Sequence, residues 1–402
     1  MLIGLVGLLV VLVMGCAGEA AVPVTATAEP TATAEPTVIS EPTETPTVAP
    51  EPTAVPETNA QIDNFGRDLY PALADLGEGW TKIEPGGDTR CAHDTPFAFW
   101  VRPGTVNKLL LYFEGGGGCW NAETCAAGSR WYDSDVGVDE DPSRRNGVFD
   151  FDNPANPFKD YHAVFIPSCT GDVHWGTTAY EYPYADASRG TVTVYHHGYI
   201  NGQAALAWAY DNVLEPESVF VTGCSAGSVG SVAHASDIIA QYPQARVTQL
   251  GDSLAFIFGE AIDLTDWGTQ AALPAWMDSV TADDLLMRHF VIAVANHHPD
   301  YTFAQYNTEA DEVQIRYYAT DGGPDAAEFP AELAGHLSDI HAAAPNFRSY
   351  TATGSQHCIL PRTNFYTTAV NEVLVVEWVQ ALADGEEVQN VVCPTCAVET
   401  GE

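Results

Sequence analysis

The sequence predicts an α/β fold with a mainly parallel central sheet flanked by helices, on three observations. Short apolar runs rich in β-branched and aromatic residues recur between turn residues, as buried strands do. Helical patterns separate them, an alternation that calls for crossover connections and a sheet covered on both faces. Polar and glycine-rich segments follow several of the runs, where open α/β sheets place their chemistry.

The strand runs lie at 96–101, 108–113, 161–166, 218–222, 246–250, 301–306 and 347–352. Helical spacing covers 201–212, 226–241, 281–297 and 371–383. The third helix opens on a Thr281-x-x-Asp284 capping pattern. The last sets Val373, Leu374, Trp378 and Leu382 on one face and stops before Gly385.

Two segments precede this region. Residues 2–15 are uncharged and apolar and run straight into Cys16. A membrane span needs about 20 such residues, so a signal-peptide core is expected over 1–16, with Cys16 as the lipidated residue of a lipoprotein. Residues 17–60 consist mainly of Ala, Thr, Pro, Glu and Val, with TATAEP at 25–30 and again at 31–36. Frequent proline and seven glutamates without Lys or Arg predict a disordered, extended tether. The expected location is the cell surface or beyond, with membrane contact only through the lipid. A monomer is expected.

The formal net charge is −39, from 54 acidic and 15 basic residues. Such a chain repels phosphate backbones, which argues against nucleic-acid binding. Besides Cys16 there are eight Cys, an even number that suits disulfides in an exported protein but leaves the pairing open. Cys393 and Cys396 would make half a zinc site, but no second pair completes it, and neither metal nor cofactor is expected.

Residues 223–227 read Gly-Cys-Ser-Ala-Gly, directly after the run 218–222 and directly before a helical pattern. G-x-S-x-G between a strand and a helix marks a nucleophile elbow of the α/β-hydrolase type, with Ser225 as nucleophile and small residues two before and two after it. Cys224 would point away from the cleft, packed or disulfide-bonded. Gly115 to Gly118 come closely after the run 108–113. Their amides are candidates for an oxyanion hole, with Gly116 and Gly117 donating beside Ala226.

The base and acid of such a site come after the serine in the order acid, then histidine. His357 alone among the later histidines sits on a short Gly-Ser-Gln loop after a terminal strand and before the last helix, and Cys358 could tie that loop down. For the acid, Asp252 and Asp311 each succeed a strand run, with Glu309 a third choice. Trp120, Asp172 and Trp175 lie just beyond strands and are candidate pocket residues.

The segments WTKIEPGGDTRCAHDTPF, FEGGGGCW, FKDYHAVFIPSCTGDVHWG, HHGYINGQAALAW, GCSAG and GSQHC occur in that order from residue 80 to 358. In these the chain resembles the pectin acetylesterase/Notum family of carboxylesterases. The resemblance implies an α/β-hydrolase fold, disulfides, no metal, and ester cleavage by a Ser-His-Asp triad. The segment Asp311-Glu312-Val313-Gln314 is similar to the family's acid segment, which favours Asp311 and leaves Asp252 as a pocket residue. Family members deacetylate pectin or remove a fatty acyl group from a secreted protein. Gly117 and Gly118 stand where the latter carries bulky aromatics.

The expected substrate is an acetylated carbohydrate or small ester. A polyanion such as pectin would be repelled by the chain's charge unless the cleft is locally basic. The alternative readings are an inactive, surface-tethered glycan-binding module, or an esterase for other small or fatty-acyl esters.

Overall fold

The structure, a computed structural model, describes residues 70–253, 255, 262–277, 279–281, 286–320, 326–394 and 396. The leader, Cys16 and the repeat segment lie outside the described residues, as does Asp284 of the expected capping pattern.

Nine strands form one sheet. They are β1 (Thr81–Ile83), β2 (Phe99–Arg102), β3 (Lys108–Phe113), β4 (His162–Ile166), β7 (Ser218–Cys224), β8 (Arg246–Asp252), β9 (Thr302–Thr308), β10 (Phe347–Ala352) and β13 (Val391–Val392). Their order is β1-β2-β4-β3-β7-β8-β9-β10-β13. The pairs β1–β2 and β2–β4 are antiparallel, and every pair from β4 through β3 to β13 is parallel. Two hairpins, β5 (Thr178–Pro183) with β6 (Thr191–His196) and β11 (Ala369–Val370) with β12 (Val373–Leu374), lie outside this sheet. The helices are α1 (Ala122–Cys125), α2 (Gly198–Asn212), α3 (Ala226–Ala233), α4 (Ala235–Gln241), α5 (Met287–His297), α6 (Glu312–Thr320), α7 (Phe329–Ala343) and α8 (Val375–Asp384).

The sheet is buried on both faces, and the two-residue period of its strands sorts the core. Leu109, Leu111 and Phe113 of β3 join Val164, Ile166, Val219 and Val221 on one side. Leu110 and Tyr112 join Phe165 and Phe220 on the other. Helices α2 and α3 cover the first side through Leu206, Trp208, Val229 and Val232. Helix α8 covers the second through Val375, Trp378, Val379 and Leu382. Each fully buried side chain of this kind contributes about 1.5–3 kcal/mol, and together they hold the strand ends in fixed positions.

Some expected elements differ in extent. The helix after Ser225 breaks at His234 into α3 and α4. His234 is fully buried and stacks on Phe113 and Tyr199, with ring centroids 5.1 and 4.6 Å away. The pattern read over 371–383 is a hairpin running into α8, because the backbone at Asn371 and Glu372 turns left-handed. The helix read over 281–297 is described from Met287 to His297.

Candidate active site

Ser225 occupies the bend between β7 and α3 with φ 56° and ψ −123°, a conformation costly for a residue with a Cβ. The flanking glycines make the bend possible. A Cβ on Gly223 would lie 2.2 Å from the Gly227 carbonyl oxygen, and one on Gly227 would lie 2.0 Å from that of Phe113. The Ser225 amide donates to the Asp252 carbonyl at 2.9 Å, and the Ser228 hydroxyl donates to the same carbonyl at 2.5 Å. The bend is thus fixed from β8.

His357 lies on the loop after β10. Its Nδ1 sits 2.8 and 2.9 Å from the two carboxylate oxygens of Asp311. Asp311 is fully buried and directly precedes α6, whose Val313 and Gln314 amides it accepts at 3.0 Å each. The Gln314 side chain adds a bond of 3.0 Å. Burial alone would raise the Asp311 pKa, but the bonds to His357 and Gln314 outweigh it and hold the carboxyl below its usual value. An ionised Asp311 keeps the proton of a neutral His357 on Nδ1 and leaves Nε2 with a lone pair. Nε2 is shielded and has no hydrogen-bond partner among the described residues. Ser225 and His357 line the same cavity, without a hydrogen bond between hydroxyl and imidazole in this geometry.

The glycine loop approaches this pair. The Gly118 amide donates to the Trp131 carbonyl at 3.1 Å, and the Gly116 carbonyl accepts from the Asp133 amide at 2.8 Å. These bonds pin the loop, while no backbone bond from the Gly116 or Gly117 amide is seen among the described residues. Gly117 has φ +72°, and a Cβ there would lie 2.1 Å from the Trp131 carbonyl oxygen. Ala226 opens α3, where first-turn amides have no helical acceptor, and it lines the cavity with Gly117.

The loop bearing His357 is tied to the elbow three times. Cys224 and Cys358 form a disulfide joining the residue before Ser225 to the residue after His357. The Cys358 amide donates to the Ser253 hydroxyl at 3.0 Å. The Asp252 carboxylate accepts the Ile359 amide at 2.9 Å and the Leu360 amide at 2.8 Å. Asp252 has no exposed surface, and burial pushes its carboxyl up to about 7 despite those bonds. Its expected place in a pocket wall is therefore corrected. It is a clamp between β8 and the His357 loop, a role invisible in sequence because its partners are backbone amides more than a hundred residues away.

Two other pocket candidates also move. Asp172 is fully buried and bonds the Thr170 hydroxyl at 2.7 Å and the Gly198 amide at 2.8 Å, so it fastens one loop to the start of α2. Burial pushes it up to about 6. Trp175 is fully buried against Phe290, with ring centroids 4.6 Å apart. Left-handed backbone at Val173 and His174 turns the chain here, so a place just beyond a strand does not bring Asp172 or Trp175 to the cavity. Trp120 does line the cavity, as do Trp267, Val173, Tyr317 and Phe329, which sequence reasoning did not single out.

The apolar cavity beside Ser225 holds about 40 Å³. Ser225 and His357 also line a wider groove of about 540 Å³, reached by Arg130, Trp131, Arg145, Arg316 and Arg362. Arg130 and Arg316 flank the Trp131 ring at 5.3 and 5.6 Å from its centroid. Arg145 pairs with the buried Glu114. The other cysteines among the described residues form Cys91–Cys169, Cys119–Cys125 and Cys393–Cys396, the last being the pair with the spacing of half a zinc site.

Comparison with known proteins agrees with this fold. The model of the pectinacetylesterase family matches residues 84–282. A 101-residue stretch is 31% identical to the palmitoleoyl-protein carboxylesterase NOTUM of Schmidtea mediterranea, covering 24% of this chain and 19% of that protein. The match thus spans about a fifth of the relative's length. Two crystal forms of the Wnt deacylase Notum from Drosophila share the fold at TM-scores of 0.54 and 0.57 and 14% identity. They match over 78% and 79% of this chain and 96% and 97% of their own. With a mostly parallel sheet, a serine at its central bend and these likenesses in accord, the chain is similar to the pectin acetylesterase/Notum family and shares the Notum fold.

Proposed function

We propose that this protein is an exported serine carboxylesterase that removes acetyl groups from an acetylated polysaccharide. The observation that carries the reading is the pairing at one cavity of Ser225, on a strained elbow, with His357, whose Nδ1 is committed to Asp311.

In this reading the Ser225 hydroxyl attacks the ester carbonyl while His357 Nε2 takes its proton. The oxygen that becomes negative is met by the amides of Gly116, Gly117 and Ala226, one such donor being worth about 3–4 kcal/mol. Asp311 stabilises the imidazolium, which returns the proton to the departing sugar oxygen. Water, activated by the same imidazole, then attacks the acetyl-enzyme and releases acetate.

The two cavities divide the substrate. The small apolar one suits a short acyl group, and the wide groove suits the sugar side. The chain's charge of −39 argued for a neutral glycan. The groove tempers this argument: Arg130, Arg145, Arg316 and Arg362 line it together with Glu114, Asp133 and Asp139, and Arg130 and Arg316 lie beside a tryptophan face. Guanidinium groups next to an aromatic platform fit a polymer of acidic sugars. The four disulfides fit an oxidising location outside the cytoplasm. Attachment by a lipid on Cys16 is part of the same proposal.

The test is acetate release from acetylated pectin and from a neutral acetylated xylan, by the wild-type protein and by Ser225→Ala. The proposal expects release that depends on Ser225 and is faster on the acidic polymer. No release from either substrate or from aryl acetates would instead support the non-catalytic binding module.

A further inference from the structure

Trp267 lines the apolar cavity together with Ser225 and Ala226. Trp267 has no exposed surface and is held at both ends. Its indole Nε1 donates to the Cys119 carbonyl at 3.0 Å, and its own carbonyl accepts the Thr177 amide at 2.8 Å. The ring edge faces the glycine loop. A Cβ built on Gly118 would lie 4.0 Å from Trp267 Cη2 and 3.8 Å from Val173 Cγ1. A ring anchored by a buried hydrogen bond does not swing aside for a ligand as a free side chain would.

We propose that Trp267 sets the length of the acyl group this enzyme accepts, acting as a fixed floor that admits acetyl and stops longer chains. The inference rests on the esterase reading of the site. The cavity is small, about 40 Å³ against about 540 Å³ for the groove, which suits a short acyl group. A hexanoyl chain brings four further methylenes, and these have no place unless the indole is removed. Gly118 works from the opposite wall. Its φ is not left-handed and its Cβ would meet only ordinary contacts, so an added methyl narrows the cavity without straining the loop.

The experiment compares kcat/KM on para-nitrophenyl acetate, butyrate, hexanoate and octanoate for the wild type, Trp267→Phe, Trp267→Ala and Gly118→Ala. Each methylene that gains or loses its place changes the ratio by about 10-fold or more. Trp267→Ala is therefore expected to raise the hexanoate-to-acetate ratio by at least about 100-fold, with Trp267→Phe between it and the wild type. Gly118→Ala is expected to lower the butyrate-to-acetate ratio by about 10-fold. A wild type that cleaves octanoate as well as acetate overturns the inference, as does a folded Trp267→Ala with an unchanged profile. If Trp267→Ala does not fold, an unchanged ratio in Gly118→Ala overturns it instead. A wild type without any esterase activity defeats the proposed function itself, a result separate from an active esterase whose variants keep its profile.

Discussion

Replacing Asp311 and Asp252 separately by Asn distinguishes a carboxylate that works on the reaction from one that holds a loop. Both are fully buried; Asp252 ends β8, and Asp311 comes three residues after β9. Only Asp311 touches the imidazole, with both oxygens within 2.9 Å of Nδ1. Its oxygens also accept the Val313 and Gln314 amides and the Gln314 side chain. An Asn at 311 must therefore turn its NH2 group toward a donor in either orientation. Where that group faces Nδ1, the ring keeps its proton on Nε2 and cannot act as a base. The imidazolium formed in the reaction also loses its counter-charge. The expected loss is about 10⁴-fold in kcat, or about 5.4 kcal/mol, with little change in KM.

Asp252 bonds only backbone amides of the His357 loop through its carboxylate. Loss of a charge-assisted bond costs about 1.5–3 kcal/mol, so even full transmission to the reacting geometry gives about 10- to 150-fold. Steady-state kinetics on an aryl acetate, with melting curves to establish folding, measures both variants. An Asp252→Asn loss equal to or larger than that of Asp311→Asn would refute the assignment.

The same contacts set three further outcomes. Converting Cys224 and Cys358 together to Ala opens a closed loop of 134 residues and should cost about 2–5 kcal/mol, read as a fall in Tm, with kcat reduced more than KM because the His357 loop loses a tie. The raised carboxyl of Asp252, at about 7, binds its proton more tightly folded than unfolded, so its stabilisation is complete below about pH 4 and lost as pH rises through about 7. Asp172 and Asp133, both pushed to about 6 by burial, act in the same direction. Asp311 acts oppositely, losing its contribution only as pH falls through its depressed folded value. Melting scans should thus show a Tm lower at about pH 8 than at about pH 5, with a smaller difference in Asp252→Asn. Finally, Arg130→Ala with Arg316→Ala should raise KM for acetylated pectin about 10-fold or more and leave aryl acetates nearly unchanged, an effect that salt reduces in the wild type.

How far the sequence revealed these features depends on how local they are. Ser225 was legible because the elbow needs small residues at fixed spacing, and Gly223 and Gly227 meet backbone atoms where any Cβ would clash. His357 was legible from its place after the last long strand. Asp311 and Asp252 were not separable by position, since each follows a strand run. Their neighbours in the fold distinguish them: α6 begins at 312 and presents its amides to Asp311, whereas residues 358–360 from far along the chain fold over Asp252. Trp175 and Trp267 were equally opaque. Both are buried tryptophans, and only tertiary packing places one against Phe290 and the other against the glycine loop. The arginine groove gathers residues 130, 145, 316 and 362 from separate segments, so a net charge of −39 concealed it.

The proposed chemistry turns on the reactivity of one hydroxyl. Incubation with a fluorophosphonate, then intact-mass and peptide-mass measurement, should show a single adduct on Ser225. The labelling rate should fall at least about 100-fold in His357→Ala, since the imidazole activates the hydroxyl. A folded wild-type protein that takes up no label, or carries it on another residue while still cleaving an ester, would contradict the assignment of Ser225 as nucleophile.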